Sequence, residues 1–544
     1  MHTAMEDSGT LMKIAITEKI AAESVQYLRD QGFDVEEKLG FSQAEIEDMM
    51  EPYDGLIVRS VTQVNESLLS KAPNLKVVGR AGNGIDNIQV DACTKKGIIA
   101  VNTPEANIMA AGELAVGLAF AAFRNIPQAD RRARQDDFRR GSMIGNELEG
   151  KVAGIIGLGR IGSIVARKLT GIGMSVIAYD PYISDEKFQK LGVKKCQELE
   201  DLLHAADLIT FHTPKNKETY NMLDAAELAK CKKGVRIVNA ARGGLVNEKA
   251  LYEALVSGQV ASAGIDVFDK EPSYDKKPGE QNFENPLLTL PNCVVTPHLG
   301  ASTHEANRNV GTAVTELVAK ALKGELVAAI NMPAISGRLS EMAPYIELAE
   351  KLGSIYYQTE KQRVNKIELV FRGDLASKET GLITLSALKG FLSPISHERI
   401  SFVNVMQNVK DMGIEVIETK SSQLEKYTNM ITVIFHSDEK TLSVSGTVFG
   451  KDSIRLVDFF GYHMDFEPAE YVIAMQNIDK PGIIGKVGTV LGARNINITS
   501  MNWSSKKDKQ KAVSFVSVEK DIDQEAVNAL QEIDGVLRVS VLHF

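Results

Sequence analysis

The 544-residue chain is poor in cysteine, with four, and holds a single tryptophan. Cys93, Cys196, Cys231 and Cys293 are scattered, with no C-x-x-C pair. That spacing argues against a disulfide framework or a zinc site and fits a reducing cytoplasm, so no metal is expected. A positive balance is also missing. The net charge of −9 argues against a nucleic-acid or anionic-membrane binder. No apolar run is long enough to span a bilayer, and the polar first ten residues lack the apolar core of a signal peptide. Internal repeats and low-complexity tracts are absent as well. What remains is ordinary globular composition, 44% hydrophobic and 24% charged. A chain of this length exceeds one core, so about three or four domains are expected.

The most informative stretch is KVAGIIGLGRIGSIVARKLTGIGMSVIAYD, residues 151–180. It reads as strand, glycine turn, helix, then a second strand closed by an acid. Gly157, Gly159 and Gly162 occupy the G-x-G-x-x-G positions. The first permits the tight turn, the second lets a pyrophosphate approach, and the third allows close helix–strand packing. The helix N-terminus then offers unpaired N–H groups to phosphates. Asp180 stands near the place expected for a ribose-binding acid, about 20 residues on. Strand, helix, strand and acid in that order predict a dinucleotide site.

The same alternation runs through the residues ahead of this motif. LMKIAIT, DGLIVRS and NLKVVGRAG read as strands, and EKIAAESVQYLRDQG as a helix ended by glycine. Residues 105–126 read as one long apolar helix crossing into the nucleotide domain. Beyond residue 300 the pattern is helical again, as if the chain returned to its first domain, and NMPAIS at 331–336 has linker character. Residues 337–466 mix helices with β-rich runs such as MITVIFH and TLSVSGTVFG. Residues 467–544 read βαββαβ.

Three further signals follow in order. NAARGG delivers Arg242 from an apolar strand into a glycine turn, where a guanidinium can clamp a carboxylate, although a surface salt bridge is the plainer reading. AGIDVFDKEP carries Asp266 and Glu271, the latter before proline, where an acid usually serves a turn. CVVTPHLGAST carries His298, a general base or a structural histidine.

Taken as an ordered set, GLGRIG, NAARGG, DVFDKEP and TPHLGAST resemble the D-isomer-specific 2-hydroxyacid dehydrogenase family over residues 11–333. LIVRS, GRAGNGIDNI, HTPKNKET and the C-terminal NIDKPGIIGKVGTVLGARNINITSM narrow the resemblance to its long-form phosphoglycerate dehydrogenase branch, with an intervening domain and an ACT domain. The resemblance implies an α/β architecture. Two Rossmann-like domains come first, the NAD-binding one (107–300) inserted in a substrate-binding one (11–106 and 301–333). An α+β intervening domain (337–466) and a ferredoxin-like ACT domain (467–544) follow.

It also implies chemistry: NAD-dependent oxidation of 3-phosphoglycerate, the entry to serine synthesis, by a triad of Arg242, Glu271 and His298. A glyoxylate, hydroxypyruvate or 2-oxoglutarate reductase is the alternative within the family. An NAD-sensing co-repressor is the alternative of another class. Cofactor contacts are expected at Asn83, Gly157, Gly159, Arg160, Ile161, Gly162, Asp180, Thr213, Ala240, Asp266 and His298. Substrate contacts are expected at Arg59, Asn83, Gly84, Arg242 and His298. Asn83 departs from the small hydroxyl residue common in the family. His212 is read as structural. The cluster Arg131, Arg132, Arg134, Arg139 and Arg140 is read as a solvated helix face or as help for a substrate phosphate. Asn477, Asp479 and Asn497 match L-serine positions of ACT domains, with Asp479 replacing an amide. The resemblance implies a cytoplasmic homodimer or homotetramer with no nucleic-acid or membrane partner.

Overall fold

The computed structural model describes residues 11–272, 279–333, 339–360, 362–396, 400–424, 426–505 and 510–544. Part of the expected linker, residues 334–336, lies outside them. Four sheets organise the chain. The first, in the order β2-β1-β3-β4-β5, is built from β1 (Lys13–Ile16), β2 (Asp34–Glu37), β3 (Gly55–Val58), β4 (Val77–Arg80) and β5 (Ile99–Asn102). The second runs β12-β11-β10-β9-β6-β7-β8, from β6 (Val152–Ile156), β7 (Ser175–Tyr179), β8 (Lys194–Lys195), β9 (Leu208–Phe211), β10 (Val235–Asn239), β11 (Val260–Ile265) and β12 (Cys293–Val295). Its pairings are parallel throughout. The strand order reverses beside β6, and ligands of such sheets bind beyond the strand ends at that switch point.

Composition explains which strands lie where. GLIV of β3 and LITF of β9 are buried at every position, as expected of strands covered on both faces. At the edge of the first sheet, β2 is DVEE. Its charges suit an edge that must not recruit another strand. At the opposite edge, the Asn331 side chain accepts from Ala100 N (3.0 Å) and donates to the Ile98 carbonyl (2.9 Å), so the returning chain covers β5.

Contacts divide the chain into two compact units. One comprises the described residues of 11–64, 79–88 and 102–319; the other comprises those of 65–78, 89–101 and 320–544. The first holds helix Ile108–Arg124, which ends at Asn125 in a left-handed conformation (φ 50°). The long apolar helix expected at 105–126 is therefore present, and the turn at Asn125 starts a new helix, Ile126–Ala133. No single described helix is long and apolar enough to cross a membrane. Cys93, Cys196 and Cys231 are buried, and Cys293 is half-buried.

The second unit carries a six-stranded mixed sheet, β14-β13-β15-β16-β17-β18, from β13 (Val364–Gly373), β14 (Glu415–Ser421), β15 (Asn429–Ser437), β16 (Thr441–Phe449), β17 (Ser453–Phe459) and β18 (Tyr462–Phe466). Helices Leu339–Thr359 and Gly381–Leu392 pack together beside it. Phe391 stacks on Phe435 at 5.7 Å and Tyr356 meets Phe435 at 4.8 Å. Each such ring pair adds roughly 0.5–1.5 kcal/mol beyond its buried area.

The C-terminal segment follows βαββαβ: β19 (Tyr471–Ile478), helix Ile483–Gly492, β20 (Ile498–Ser505), β21 (Lys511–Val518), helix Gln524–Gln531 and β22 (Val536–His543). Its sheet order is β20-β21-β19-β22. Ile473 and Met475 face its two helices, and Val472 and Ala474 face the six-stranded domain.

The two long helices of the second unit cross where only glycine fits. A β-carbon on Gly353 would fall 1.9 Å from the Ala387 carbonyl oxygen, and one on Gly390 2.0 Å from that of Glu350. Gly353→Ala should force the pair apart at a cost of about 1–3 kcal/mol, the range for overpacking a tight interior. Differential scanning calorimetry should show a lower midpoint for this unit. An unchanged midpoint would mean that the crossing is not tightly fitted.

Candidate active site and cofactor cradle

The glycine turn after β6 is built by close approach. Gly157 adopts φ +90°, and a β-carbon there would meet the His212 carbonyl oxygen at 2.7 Å. A β-carbon on Gly162 would lie 2.0 Å from the Gly157 oxygen, so the helix Arg160–Gly171 can start only over glycine. Nothing stands within 4 Å of the corresponding position on Gly159, the helix N-cap, which leaves backbone open to a ligand.

Asp180 organises the end of this turn. Its carboxylate accepts from Leu158 N (2.8 Å) and Tyr182 N (3.0 Å). Thr213 Oγ1 is buried without a hydrogen-bond partner. The open Gly159 and this orphaned hydroxyl both fit a dinucleotide. Ile161 packs into the core below the turn, and exposed Arg160 pairs with Glu105 (2.6 Å). His212 lies beneath the turn against Thr210 (3.1 Å), and burial pushes its imidazole down to about 3, so the ring stays neutral.

His298 is held from three sides. Its backbone sits in the left-handed region (φ 56°), unusual for a side-chain-bearing residue. Asp266, 1% exposed, fixes that conformation. One carboxylate oxygen accepts from the Thr296 hydroxyl (2.6 Å) and Leu299 N (2.7 Å), the other from Gly300 N (3.1 Å). The His298 N–H donates to the Asp266 carbonyl (2.9 Å). The ring then pairs through Nδ1 with Glu271 Oε2 at 2.9 Å, which directs Nε2 away from the carboxylate. Asp266, expected from the resemblance to contact the cofactor, thus has both oxygens engaged with the loop that carries the histidine. The Gly300 β-position faces both Asp266 and the Ala240 carbonyl.

Arg242 belongs to a second constellation. Asn239 ties down its loop, donating from Nδ2 to the Arg242 carbonyl (2.8 Å) and accepting from Ala241 N (3.1 Å). A β-carbon on Gly84 would lie 2.9 Å from Asp86 Oδ2, 3.2 Å from Arg242 and 3.7 Å from Arg80, so two guanidinium groups and one carboxylate converge on this backbone. Asn83, the preceding residue, accepts from Asn102 at its carbonyl (2.8 Å).

Arg80 escaped the sequence reading, because an arginine at a strand end carries no signal of its own. It is largely buried, its Nε has no partner, and burial followed by the nearby Arg242 charge lowers its pKa. Arg59 also bears on it electrostatically. The Arg59 guanidinium donates to Asn307 Oδ1 (2.9 Å) and the Lys19 carbonyl (3.3 Å). Its loop is shaped by Glu18, another residue without a sequence signal, whose carboxylate accepts from the backbone N–H groups of Arg59, Ser60, Val61 and Thr62.

A polar hub joins the Arg242 loop to the Glu271 segment. Asp269 accepts from Lys215 (2.6 Å) and Tyr220 (3.2 Å), and the lysine holds its carboxyl below the usual range. The Asp269 N–H donates to Glu248 (2.6 Å). β-carbons on Gly243 and Gly244 would lie 1.8 Å from the Phe268 oxygen and 2.5 Å from Asp269 Oδ1, so the Gly-Gly turn is pressed onto this segment. Phe268 N in turn donates to Glu271 (3.3 Å).

Of the basic cluster, Arg132 and Arg139 share Asp137, and Arg134 pairs with Asp130. These pairings fit the solvated-face reading; Arg131 and Arg140 are exposed. In the C-terminal segment, Asn477 is fully buried, with Nδ2 donating to the Ile478 carbonyl (2.7 Å) and Oδ1 without a partner. Asp479 N donates to the Gln510 carbonyl (2.9 Å), and the Asn497 carbonyl accepts from Glu519 N (3.3 Å).

Comparison with known proteins bears directly on this arrangement. A D-3-phosphoglycerate dehydrogenase of Methanocaldococcus jannaschii is 40% identical over 535 residues, covering 98% of this chain and 100% of that protein. The chain belongs to the D-3-phosphoglycerate dehydrogenase family. The Bacillus subtilis family member is 36% identical over 98% of this chain and 99% of its own. Residues 116–300 match the NAD binding domain of D-isomer specific 2-hydroxyacid dehydrogenases, 341–460 the D-3-phosphoglycerate dehydrogenase intervening domain, and 471–535 the ACT domain. Among solved structures, D-lactate dehydrogenase of Aquifex aeolicus, complexed with NAD and lactic acid, is similar with a TM-score of 0.51 and 26% identity, over 57% of this chain and 96% of that one. The pyruvate reductase of Chlamydomonas reinhardtii gives 0.54 and 26%, over 59% and 98%. The chain is thus an NAD-dependent oxidoreductase of this family, with the expected order of folds.

Asp269→Ala should lower turnover about tenfold, a barrier change of about 1.4 kcal/mol, by loosening the segments that carry Glu271 and Arg242. Steady-state kinetics tests this, and unaltered kcat and KM would reduce the hub to a surface tie.

Proposed function

We propose that the protein oxidises 3-phospho-D-glycerate to 3-phosphohydroxypyruvate, the first step of L-serine synthesis, as a cytoplasmic homodimer or homotetramer. The observation that carries this reading is the His298–Glu271 pair, 2.9 Å apart, in the same compact unit as converging arginines. When bound, NAD supplies the hydride acceptor. Gly157, Gly159, Arg160, Ile161 and Gly162 would hold its pyrophosphate side, Asp180 its ribose, and Asn83, Thr213, Ala240, Asp266 and His298 its nicotinamide side. An acid at 180 followed by Pro181 and Tyr182 disfavours a 2′-phosphate.

His298 takes the proton of the C2 hydroxyl on Nε2. Glu271 keeps the ring turned for that task and stabilises the imidazolium, as an acid does in other triads. Arg242 grips the C1 carboxylate and polarises the C2 oxygen. The substrate has a second anion, and Arg59, Arg80 and the Asn83–Gly84 backbone suit its phosphate. Full-length likeness to D-3-phosphoglycerate dehydrogenases, together with this chain's own intervening and ACT domains, favours this substrate over the glyoxylate, hydroxypyruvate or 2-oxoglutarate reductase reading.

His298→Ala should cut turnover roughly 100- to 10,000-fold, the usual cost of losing a positioned acid–base group, while NAD binding by titration calorimetry weakens far less. Near-normal turnover with 3-phosphoglycerate would remove His298 as the base. Assays against glycerate and 2-oxoglutarate measure the substrate preference.

The ACT domain provides for control by L-serine at Asn477, Asp479 and Asn497. The unpartnered, buried Asn477 Oδ1 supports a ligand there. A remote ligand acts by favouring one of two arrangements. Serine inhibition of the full-length enzyme is expected, and Asn477→Ala should abolish it without loss of basal activity. Absence of inhibition and of binding at millimolar serine would assign this domain another role, with the carboxylate of Asp479 as the first cause to test.

A further inference from the structure

An open cleft lies between the six-stranded domain and the C-terminal sheet, both in the second compact unit. One wall is aromatic: Phe459, Phe460 and Tyr462, from the β17–β18 hairpin. The other is the outer face of β19 and β22. Register pairs Gln476 with Arg538 and Ala474 with Ser540, and residues two apart share a face. A guanidinium, an amide and a hydroxyl therefore stand side by side opposite the rings. Asn477 projects from β19 to the other side, so this cavity is separate from the serine residues considered above.

The charges are unequal. Glu360, with its side chain 12% exposed, is the carboxylate on the cavity wall. It pairs with both Lys440 and Arg538, each at 2.7 Å. One anion shared by two cations leaves a positive charge. Arg538 uses Nη1 for Glu360, while a guanidinium has five N–H donors that match a carboxylate in a fork. Aromatic surface lies across from this charge, so the complementary ligand has an anionic head and an apolar body.

We propose that this junction is a binding site for a small monocarboxylate with an aromatic or branched apolar body, its carboxylate on Arg538 beside Gln476 and Ser540 and its body against Phe459, Phe460 and Tyr462. Such a ligand touches both domains at once and so favours their joined arrangement by mass action. The site does not depend on the catalytic assignment, because none of its residues belongs to the dehydrogenase machinery.

The test uses full-length protein with phenylacetate as the aromatic probe and isobutyrate as the branched one, followed by calorimetry and thermal shift. Saturable binding and a raised melting temperature at millimolar probe are expected with at least one of them. Arg538→Gln should weaken binding at least about tenfold, the scale of a lost charge-assisted bond. Ala474→Phe, which fills the cavity, should abolish it. Both variants should keep wild-type turnover, and a cooperative calorimetric transition of the second unit without probe shows that they fold. Ser540→Ala, a smaller change, should weaken binding if either variant fails to fold. The proposal is overturned if neither probe binds wild type, or if binding is undiminished in the folded variants, which would place the probe elsewhere, including at the arginines of the catalytic unit.

Discussion

Asp266 has almost no solvent contact, and both of its carboxylate oxygens are committed to the segment Thr296–Gly300. A buried carboxylate is tolerated when its lone pairs are satisfied, and this one is satisfied by a hydroxyl and two backbone N–H groups. In return it holds His298 in a left-handed conformation that costs free energy for a side-chain-bearing residue. Everything proposed for the ring follows from that hold. With the backbone set, Nδ1 meets Glu271, and the opposite nitrogen is presented for proton transfer. Much of the benefit of a positioned base lies in holding it in one orientation.

Glycine does comparable work by omission. At Gly157 and Gly162 the missing β-carbon brings strand, turn and helix together. At Gly243 and Gly244 it presses the arginine loop onto the segment leading to Glu271. At Gly353 and Gly390 it sets the distance between two helices far along the chain from the catalytic residues. The turn after β6, the arginine loop and the crossing helices thus rest on one device, and each use is intolerant of even a methyl group.

Much of this was legible in the sequence, and the exceptions have physical causes. The glycine turn and the acid after β7 were readable because their placement depends on local order, whereas the motifs around Arg242, Glu271 and His298 were readable only as an ordered set resembling the family. Strand β2 was missed because DVEE carries no apolar run; it is an edge strand whose stability comes from one neighbour and whose charges answer to solvent. Arg80, Glu18 and Asp269 were missed because their roles arise between segments distant in sequence. Glu18 caps a loop some forty positions on, and Asp269 gathers Lys215, Tyr220 and the glycine turn. The break at Asn125 was hidden within an apolar stretch, since asparagine adopts the left-handed conformation without announcing it as glycine would.

The buried cysteines have a chemical consequence for the whole molecule. Desolvation pushes the thiols of Cys93 and Cys293 up to about 12 and that of Cys231 to about 11, and raises Cys196 as well. Oxidants and alkylating reagents attack the thiolate, which at these values is scarcely populated near neutrality. The folded chain therefore presents little reactive sulfur. Peroxide or a thiol reagent that inactivates it would have to act on methionine or on an opened form of the fold. Loss of activity under a thiol-specific reagent would then report how often the protein opens.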